Sequence, residues 1–279
     1  MYRPRLSVVT IAKNEEKNVR PFIESFTDVA DEIVIIDDGS VDQTVSLALR
    51  AAPHVRVIVS PRGVGEGFCD QRMKGCNAAT GDWLLHADMD MRLSARLAHE
   101  ILGAVQNCSR DAYRFRLKHF LVHRRVRFGA PGRWNEPWLV RKGAGVWTRS
   151  IHERSTILSP KGRIGQLQGR MWHINDATWD ERVAKGVRYA MAEADHITDS
   201  GMQVRLSTVI LRPLWIAFKG YVLSLGFLDG RIGLYLSLHS YCVVLNGLLL
   251  AWERQNRLPR QPLEEQVRQE SGAGEQIAD

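Results

Sequence analysis

Asp88 and Asp90 close the segment Gly81-Asp82-Trp83-Leu84-Leu85-His86-Ala87-Asp88-Met89-Asp90-Met91-Arg92-Leu93. Residues 83–87 read as a short buried strand, and the two carboxylates follow where it should end. At spacing i, i+2 on extended backbone their side chains share a face. Neighbouring carboxylates repel each other unless a cation or a shared proton relieves them. A hard divalent ion held by one or two carboxylates plus substrate phosphates suits such a pair. The competing reading is a solvated turn after a strand, and the segments upstream bear on the choice.

Residues 6–11 are short, apolar and β-branched, as a buried parallel strand should be. Asn14 and Asn18 are candidate caps for a helix whose spacing puts Val19, Phe22, Ile23 and Phe26 on one face, with Pro21 tolerated in a first turn. A second strand, residues 32–36, runs into Asp37-Asp38-Gly39-Ser40-Val41-Asp42. A helix over 44–51 and a strand over 55–59 complete βαβ units and a parallel sheet. Residues 10–15, 37–42 and 88–90 then fall at the carboxyl ends of strands, where ligands collect in open α/β sheets. Three such ends on one sheet edge suggest a nucleotide cleft. The Asp/Gly/Ser chemistry of residues 37–40 also makes a good turn and cap, and both readings can hold.

Gly63-Val64-Gly65-Glu66-Gly67 lacks the G-x-G-x-x-G spacing of a dinucleotide fingerprint and reads as a loop. Helices are expected over 68–79, carrying Asp70, Gln71, Arg72 and Lys74, and over 94–105. From Ala112, apolar and basic residues alternate with period two, as in a half-exposed strand. Residues 128–147 suggest loops and short antiparallel strands, and 178–197 an amphipathic helix.

The totals fit an anionic partner. The 279 residues carry a net charge of +7, with a pI near 9.4, which favours nucleotide phosphates, an anionic membrane surface or nucleic acid. Four cysteines without C-x-x-C spacing argue against a disulfide or zinc scaffold and for a reducing compartment. The N-terminus enters a strand-like run at once, leaving no room for a signal peptide, so a cytoplasmic protein is expected. The last third is different. Residues 206–227 are rich in Leu, Trp, Phe and Tyr, and residues 232–252 run 21 positions without a charge. That length could span a bilayer, but Ser237, His239, Ser240, Asn246 and Gly247 dilute it. An interfacial or partner-buried hairpin is the preferred reading, followed by a polar, disordered tail.

Residues 7–16 (SVVTIAKNEE), 30–44 (ADEIVIIDDGSVDQT) and 79–88 (ATGDWLLHAD) together resemble a family 2 glycosyltransferase. Lys13, the Ile151-His152-Glu153 element and Gly226-x-x-Asp229-Gly230 resemble the branch of lipopolysaccharide core sugar transferases. The resemblance implies an α/β, GT-A-type nucleotide-binding fold with a mostly parallel sheet over residues 1–200. An apolar, membrane-associating helical hairpin over 201–255 and a disordered tail over 256–279 would follow. It also implies a nucleoside-diphosphate sugar donor, a Mg or Mn ion and inversion at the anomeric carbon. Thr10, Ala12, Asn14 and Glu15 would line the nucleotide pocket, Asp38 would contact base or ribose, and Ser40 belongs to the same motif. Gln71 and Arg72 would sit near the sugar or diphosphate, and Asp88 would bind the metal.

One departure stands out. Relatives commonly read Asp-Ala-Asp-Glu where this chain has His86-Ala87-Asp88-Met89-Asp90. Either Asp88 and Asp90 form a shifted pair, or His86 meets the donor directly and metal dependence falls. An inverting transferase also needs a base for the acceptor hydroxyl. Glu153 is the candidate by resemblance, and His173 the candidate for a further metal ligand. The acceptor would be a lipid-linked or envelope glycan, and the enzyme would sit peripherally on the inner face of the cytoplasmic membrane. A homo-oligomer would be the other use of the apolar hairpin. Two other classes compete: a nucleic-acid-binding module on the basic stretch Arg110 to Arg127, and a catalytically silent scaffold, for which His86 is the main argument.

Overall fold

The structure is a computed structural model and describes residues 2–122, 124–129, 135–148, 154–158, 163–257 and 260–270. By contacts the chain forms two compact units, Met1–Arg182 with Gly220–Leu236, and Val183–Lys219 with Ser237–Asp279. This division crosses the boundary expected at residue 200. Most of the helix that begins at Trp179 goes with the second unit, and the segment from Gly220 returns to the first.

The first unit is built on β1 (Leu6–Ala12), β2 (Glu32–Asp37), β3 (Val55–Val59) and β4 (Trp83–His86), all parallel in the order β3-β2-β1-β4. β1 is buried on both faces, which is why apolar residues occupy both of them and no regular apolar/polar alternation appears; its polar Ser7 and Thr10 are buried as well. Leu6, Val8 and Ala12 pack with Val19, Phe22, Ile23 and Phe26 of α1 (Glu16–Phe26). Val9 packs on the other side with Val34, Ile36 and Leu84. Pro21 lies in the second turn of α1, past the expected first-turn position, where it forgoes one helical hydrogen bond.

α2 (Thr44–Ala51) and α3 (Phe68–Ala78) are the crossovers between these strands. α3 approaches β1 closely because residue 75 is glycine; a Cβ there would run into Val9. Beyond β4 the sheet turns mixed. β8 (Asn135–Arg141) is antiparallel to β4 and to β6 (Ala112–Leu121), β11 (Ile164–Ile174) is parallel to β6, and β5 (Met91–Arg92) closes the edge antiparallel to β11. β7 (Arg124–Val126) pairs with β6, and β9 (Gly145–Thr148) with β10 (Arg154–Ile157) forms a separate hairpin. α4 (Ala95–Asn107) is capped by the Ser94 hydroxyl, which accepts the Leu97 N–H. Strand order reverses between β1 and β4, the position at which α/β sheets bind ligands. The arrangement is the α/β, GT-A-type fold expected.

In the second unit, α5 (Trp179–Asp199) and α7 (Arg231–Asn256) meet through Ala194, Ile197, Leu248 and Ala251. Arg212 of α6 (Leu206–Phe218) pairs with Glu193, and Arg254 with Asp195. Two stretches, Leu206–Leu223 and Arg231–Asn256, are long and apolar enough to cross a membrane, and both are largely exposed. Within the tail, α8 (Arg260–Glu270) is helical, although that region read as disordered: its charged and glutamine-rich sequence has fair helix propensity despite offering little to bury.

Candidate active site

The ends of β1 and β2 are stitched together by their own motif residues. The Asp38 N–H donates to the Ala12 carbonyl at 2.8 Å. Asn14 adopts the left-handed conformation, φ 56°, which its short polar side chain tolerates. Its N–H donates to Ser40 Oγ at 2.8 Å, and its Oδ1 accepts the Val41 N–H at 2.9 Å. Asp37 accepts the N–H groups of Gly39 and Ser40, so it makes the turn. That leaves Asp38 as the aspartate of this motif directed away from the turn. It accepts the Arg62 backbone N–H at 2.7 Å and the Arg62 Nε–H at 2.8 Å, with Lys13 Nζ 3.5 Å away. Burial favours a neutral Asp38, yet the hydrogen bonds and charge of Arg62 outweigh it and hold the carboxyl below its ordinary pKa. Gln71, buried on α3, donates to the Ser60 carbonyl at 2.7 Å and fastens the loop that carries Arg62.

The acidic pair acquires its third member from the far edge of the sheet. β5 pairs with β11 so that Met91 lies opposite His173, and His173 Nε2 comes to 3.1 Å from Asp90 Oδ2. Asp88, Asp90 and His173 each offer a ligand atom within 4.8 Å of the others. Asp90 Oδ1 is buried with no hydrogen-bond partner among the described residues, a costly condition for a carboxylate oxygen unless something positive meets it. Asp88 Oδ1 accepts Arg72 Nη2 at 2.7 Å. Burial pushes the Glu15 carboxyl above its ordinary pKa; the Asn18 amide opposes this, and the charges of Asp90 and Asp88 add to it. Arg92, half-buried, reaches Asn18 Oδ1 and the carbonyls of Met89 and Met91. Two carboxylates and an imidazole fit a divalent ion. The oxygens suit Mg or Mn, and the nitrogen moves the set toward the transition metals.

His86 takes no part in that cluster. It is 2% exposed, and its Nε2 accepts the Trp147 indole N–H at 3.3 Å, with the rings edge to face. Burial first, then the charge of Arg72, push its pKa down to about 3, against a smaller opposing effect of Asp88. It is therefore a neutral core residue. Of the two readings left open by His86-Ala87-Asp88-Met89-Asp90, the shifted Asp88–Asp90 pair is the one the geometry supports.

Other sequence candidates are placed differently. Thr10 is fully buried, its hydroxyl directed at the Ile11 carbonyl, and the Ala12 side chain is in the core. These two residues shape the strand end without presenting a side chain to a ligand. Glu153 and His152 lie outside the described residues. The residues that sequence reading missed are Arg62, Arg92 and Trp147. Trp147 also underlies the Arg72 guanidinium at 4.7 Å, and nothing in its local sequence signals this role.

The family model described as "Glycosyl transferase family 2" matches residues 7–154. A protein named lipopolysaccharide core biosynthesis glycosyltransferase LpsC, from Rhizobium meliloti (strain 1021), is 28% identical over 239 residues, 82% of this chain and 84% of that protein. An uncharacterized glycosyltransferase of Rickettsia conorii is 24% identical over 241 residues, 82% of this chain and 83% of its own length. Among solved structures, S. aureus TarS 1-349 covers 91% of this chain and 92% of that chain at 13% identity and a TM-score of 0.47.

Proposed function

The chain belongs to glycosyl transferase family 2 and is a nucleotide-sugar-dependent transferase. On that premise we propose that it moves a sugar, with inversion, from a nucleoside-diphosphate donor to a lipid-linked or cell-envelope glycan. The envelope acceptor is supported by the name of the Rhizobium meliloti relative, at 28% identity. The two exposed apolar stretches support peripheral attachment at the inner face of the cytoplasmic membrane.

The observation that carries the donor reading is the cluster of Asp88, Asp90 and His173 at the strand-order reversal, with the orphaned Asp90 Oδ1 inside it. These three residues would hold a Mg or Mn ion, whose charge would stabilise the departing diphosphate. Arg72, stacked on Trp147 and paired with Asp88, adds a fixed positive charge beside the same phosphates. Lys13, Asp38 and Arg62 form the polar end of the cleft for base and ribose. The Asn14–Ser40 clasp and the Gln71–Ser60 contact keep that end in place. Direct displacement at the anomeric carbon inverts it and requires a base for the acceptor hydroxyl; Glu153 is proposed for that role.

Turnover of a nucleotide-sugar panel, with Mn, with Mg and with chelator, tests the proposal. Donor consumption that requires a divalent ion and falls in Asp88→Asn is the expected result. Metal-independent turnover, or full activity in that variant, would overturn the assignment of the cluster.

A further inference from the structure

On the reading that this transferase works at a membrane, we propose that a cavity in the first unit binds the phosphate of an anionic phospholipid. The cavity, about 440 Å³ in volume, is lined by Leu117, Lys118, Arg125, Val126, Arg127 and Arg170. Four of these residues are cations and none is acidic. Strand register puts the cations together. β11 sets Arg170 opposite Arg116 and Trp172 opposite Lys118, and β7 sets Arg125 opposite Phe120. Side chains alternate across a strand, so Lys118, Arg125 and Arg170 share the sheet face away from the buried Met171 and His173. Lys118 lies over the Trp172 ring at 4.1 Å. Among the described residues, none of the four cations makes an ion pair. Like charges gathered around a concavity repel, and the field they focus attracts an anion.

The border of the cavity narrows the chemistry. Asp229 accepts the backbone N–H of Arg127 at 3.0 Å and of Phe128 at 2.8 Å, and the Ser224 carbonyl accepts the Gly129 N–H. The segment 220–236 is thereby fastened to the Arg127 wall within the same compact unit. Its Val222, Leu223, Leu225, Phe227, Leu228 and Tyr235 are all exposed. It contains the link, residues 224–230, between the two stretches long and apolar enough to cross a membrane. A phosphate site beside an exposed apolar surface matches an anionic amphiphile. A polynucleotide would gain nothing from that border. The ligand is a bilayer phospholipid rather than the acceptor, because His173 and its Asp90 contact belong to the opposite face of β11.

Flotation of the full chain with phosphatidylcholine vesicles, with or without phosphatidylglycerol, tests this. One basic residue at an anionic surface strengthens binding roughly fivefold. The triple variant Arg125→Gln/Arg127→Gln/Arg170→Gln should therefore lose more than tenfold of its affinity for phosphatidylglycerol vesicles. Its binding to phosphatidylcholine and its donor hydrolysis should stay unchanged. Arg20→Gln/Arg50→Gln/Arg188→Gln, with the same change in net charge elsewhere, should lose less than threefold. Should the triple variant melt early, the single variants Arg125→Gln and Arg170→Gln carry the test at about fivefold each. Equal losses in both triples, or an intact preference for phosphatidylglycerol, would overturn the site. Intact vesicle binding with reduced transfer to a lipid-linked acceptor would instead make the cavity an acceptor subsite and overturn the phospholipid assignment. Wild-type protein that floats with neither vesicle would refute membrane attachment, while its nucleotide-sugar turnover reports separately on the transferase reading.

Discussion

His173 Nε2 lies 3.1 Å from Asp90 Oδ2, joining residues 83 positions apart. The contact exists because the two-residue strand β5 pairs antiparallel with the end of β11. It converts a pair of carboxylates, common at turns, into a three-donor set with one buried oxygen still to be satisfied.

Asp90→Asn should raise the Mn concentration needed for half-maximal turnover by at least tenfold. It should also lower kcat by roughly 10²- to 10³-fold, the scale of losing one fixed electrostatic partner of the transition state. His173→Gln should act in the same direction. A Mn titration followed by thermal shift, without donor, reads the metal affinity apart from catalysis. An unchanged Mn-dependent shift in both variants would remove them as ligands.

His86 predicts a stability slope. Its pKa is pushed down to about 3 by burial and by Arg72, whereas an unfolded histidine titrates near 6.5. Between those values the unfolded chain binds more protons than the folded one, so stability falls as pH drops from about 6.5 toward 3. The limiting slope is about 1.4 kcal/mol per pH unit. Glu15, with its raised pKa, works in the opposite sense above its ordinary value. Urea melts of wild type and His86→Phe between pH 7 and 5 isolate the histidine, because only the wild type should show its share of the slope.

Asp38→Ala should raise the donor KM more than it lowers kcat, as removal of uniform nucleotide binding does. It also frees Arg62 from its carboxylate partner, so the loop after β3 should loosen. Steady-state kinetics against donor, with hydrogen exchange at residues 60–67, follow both effects. A KM within twofold of wild type would count against placing the base or ribose there.

Glu153→Gln should leave donor binding near normal and reduce transfer by about 100- to 10,000-fold, the usual range for a lost general base. Donor affinity by calorimetry and transfer by product formation separate the two. A loss below about threefold would transfer the role to another carboxylate, with Glu136 and Asp176 next in line.

Much of the framework was legible in local pattern. Strand β3 and helix α2 match their expected bounds, and α3 ends one residue early at Ala78. Apolar runs bounded by Asp, Gly, Asn and Ser leave the chain few other ways to bury its surface. Asp37 and Asp38 illustrate the limit. The motif predicts both a turn and a ligand contact, and only the folded chain gives the turn to Asp37 and turns the buried Asp38 carboxylate toward Arg62.

The sequence by itself determined the parallel sheet, the placement of three motifs at its carboxyl edge and the family resemblance, because periodicity and turn chemistry act over a few neighbouring residues. Only tertiary structure decided that His86 is a buried, neutral acceptor for Trp147 rather than a donor contact. It likewise decided that Asp90 lies against His173 and that Asp38 is met by Arg62. Each of those pairings closes a long loop through strand register or through the packing of a distant hairpin. The free energy of such contacts depends on burial and geometry that no local window contains.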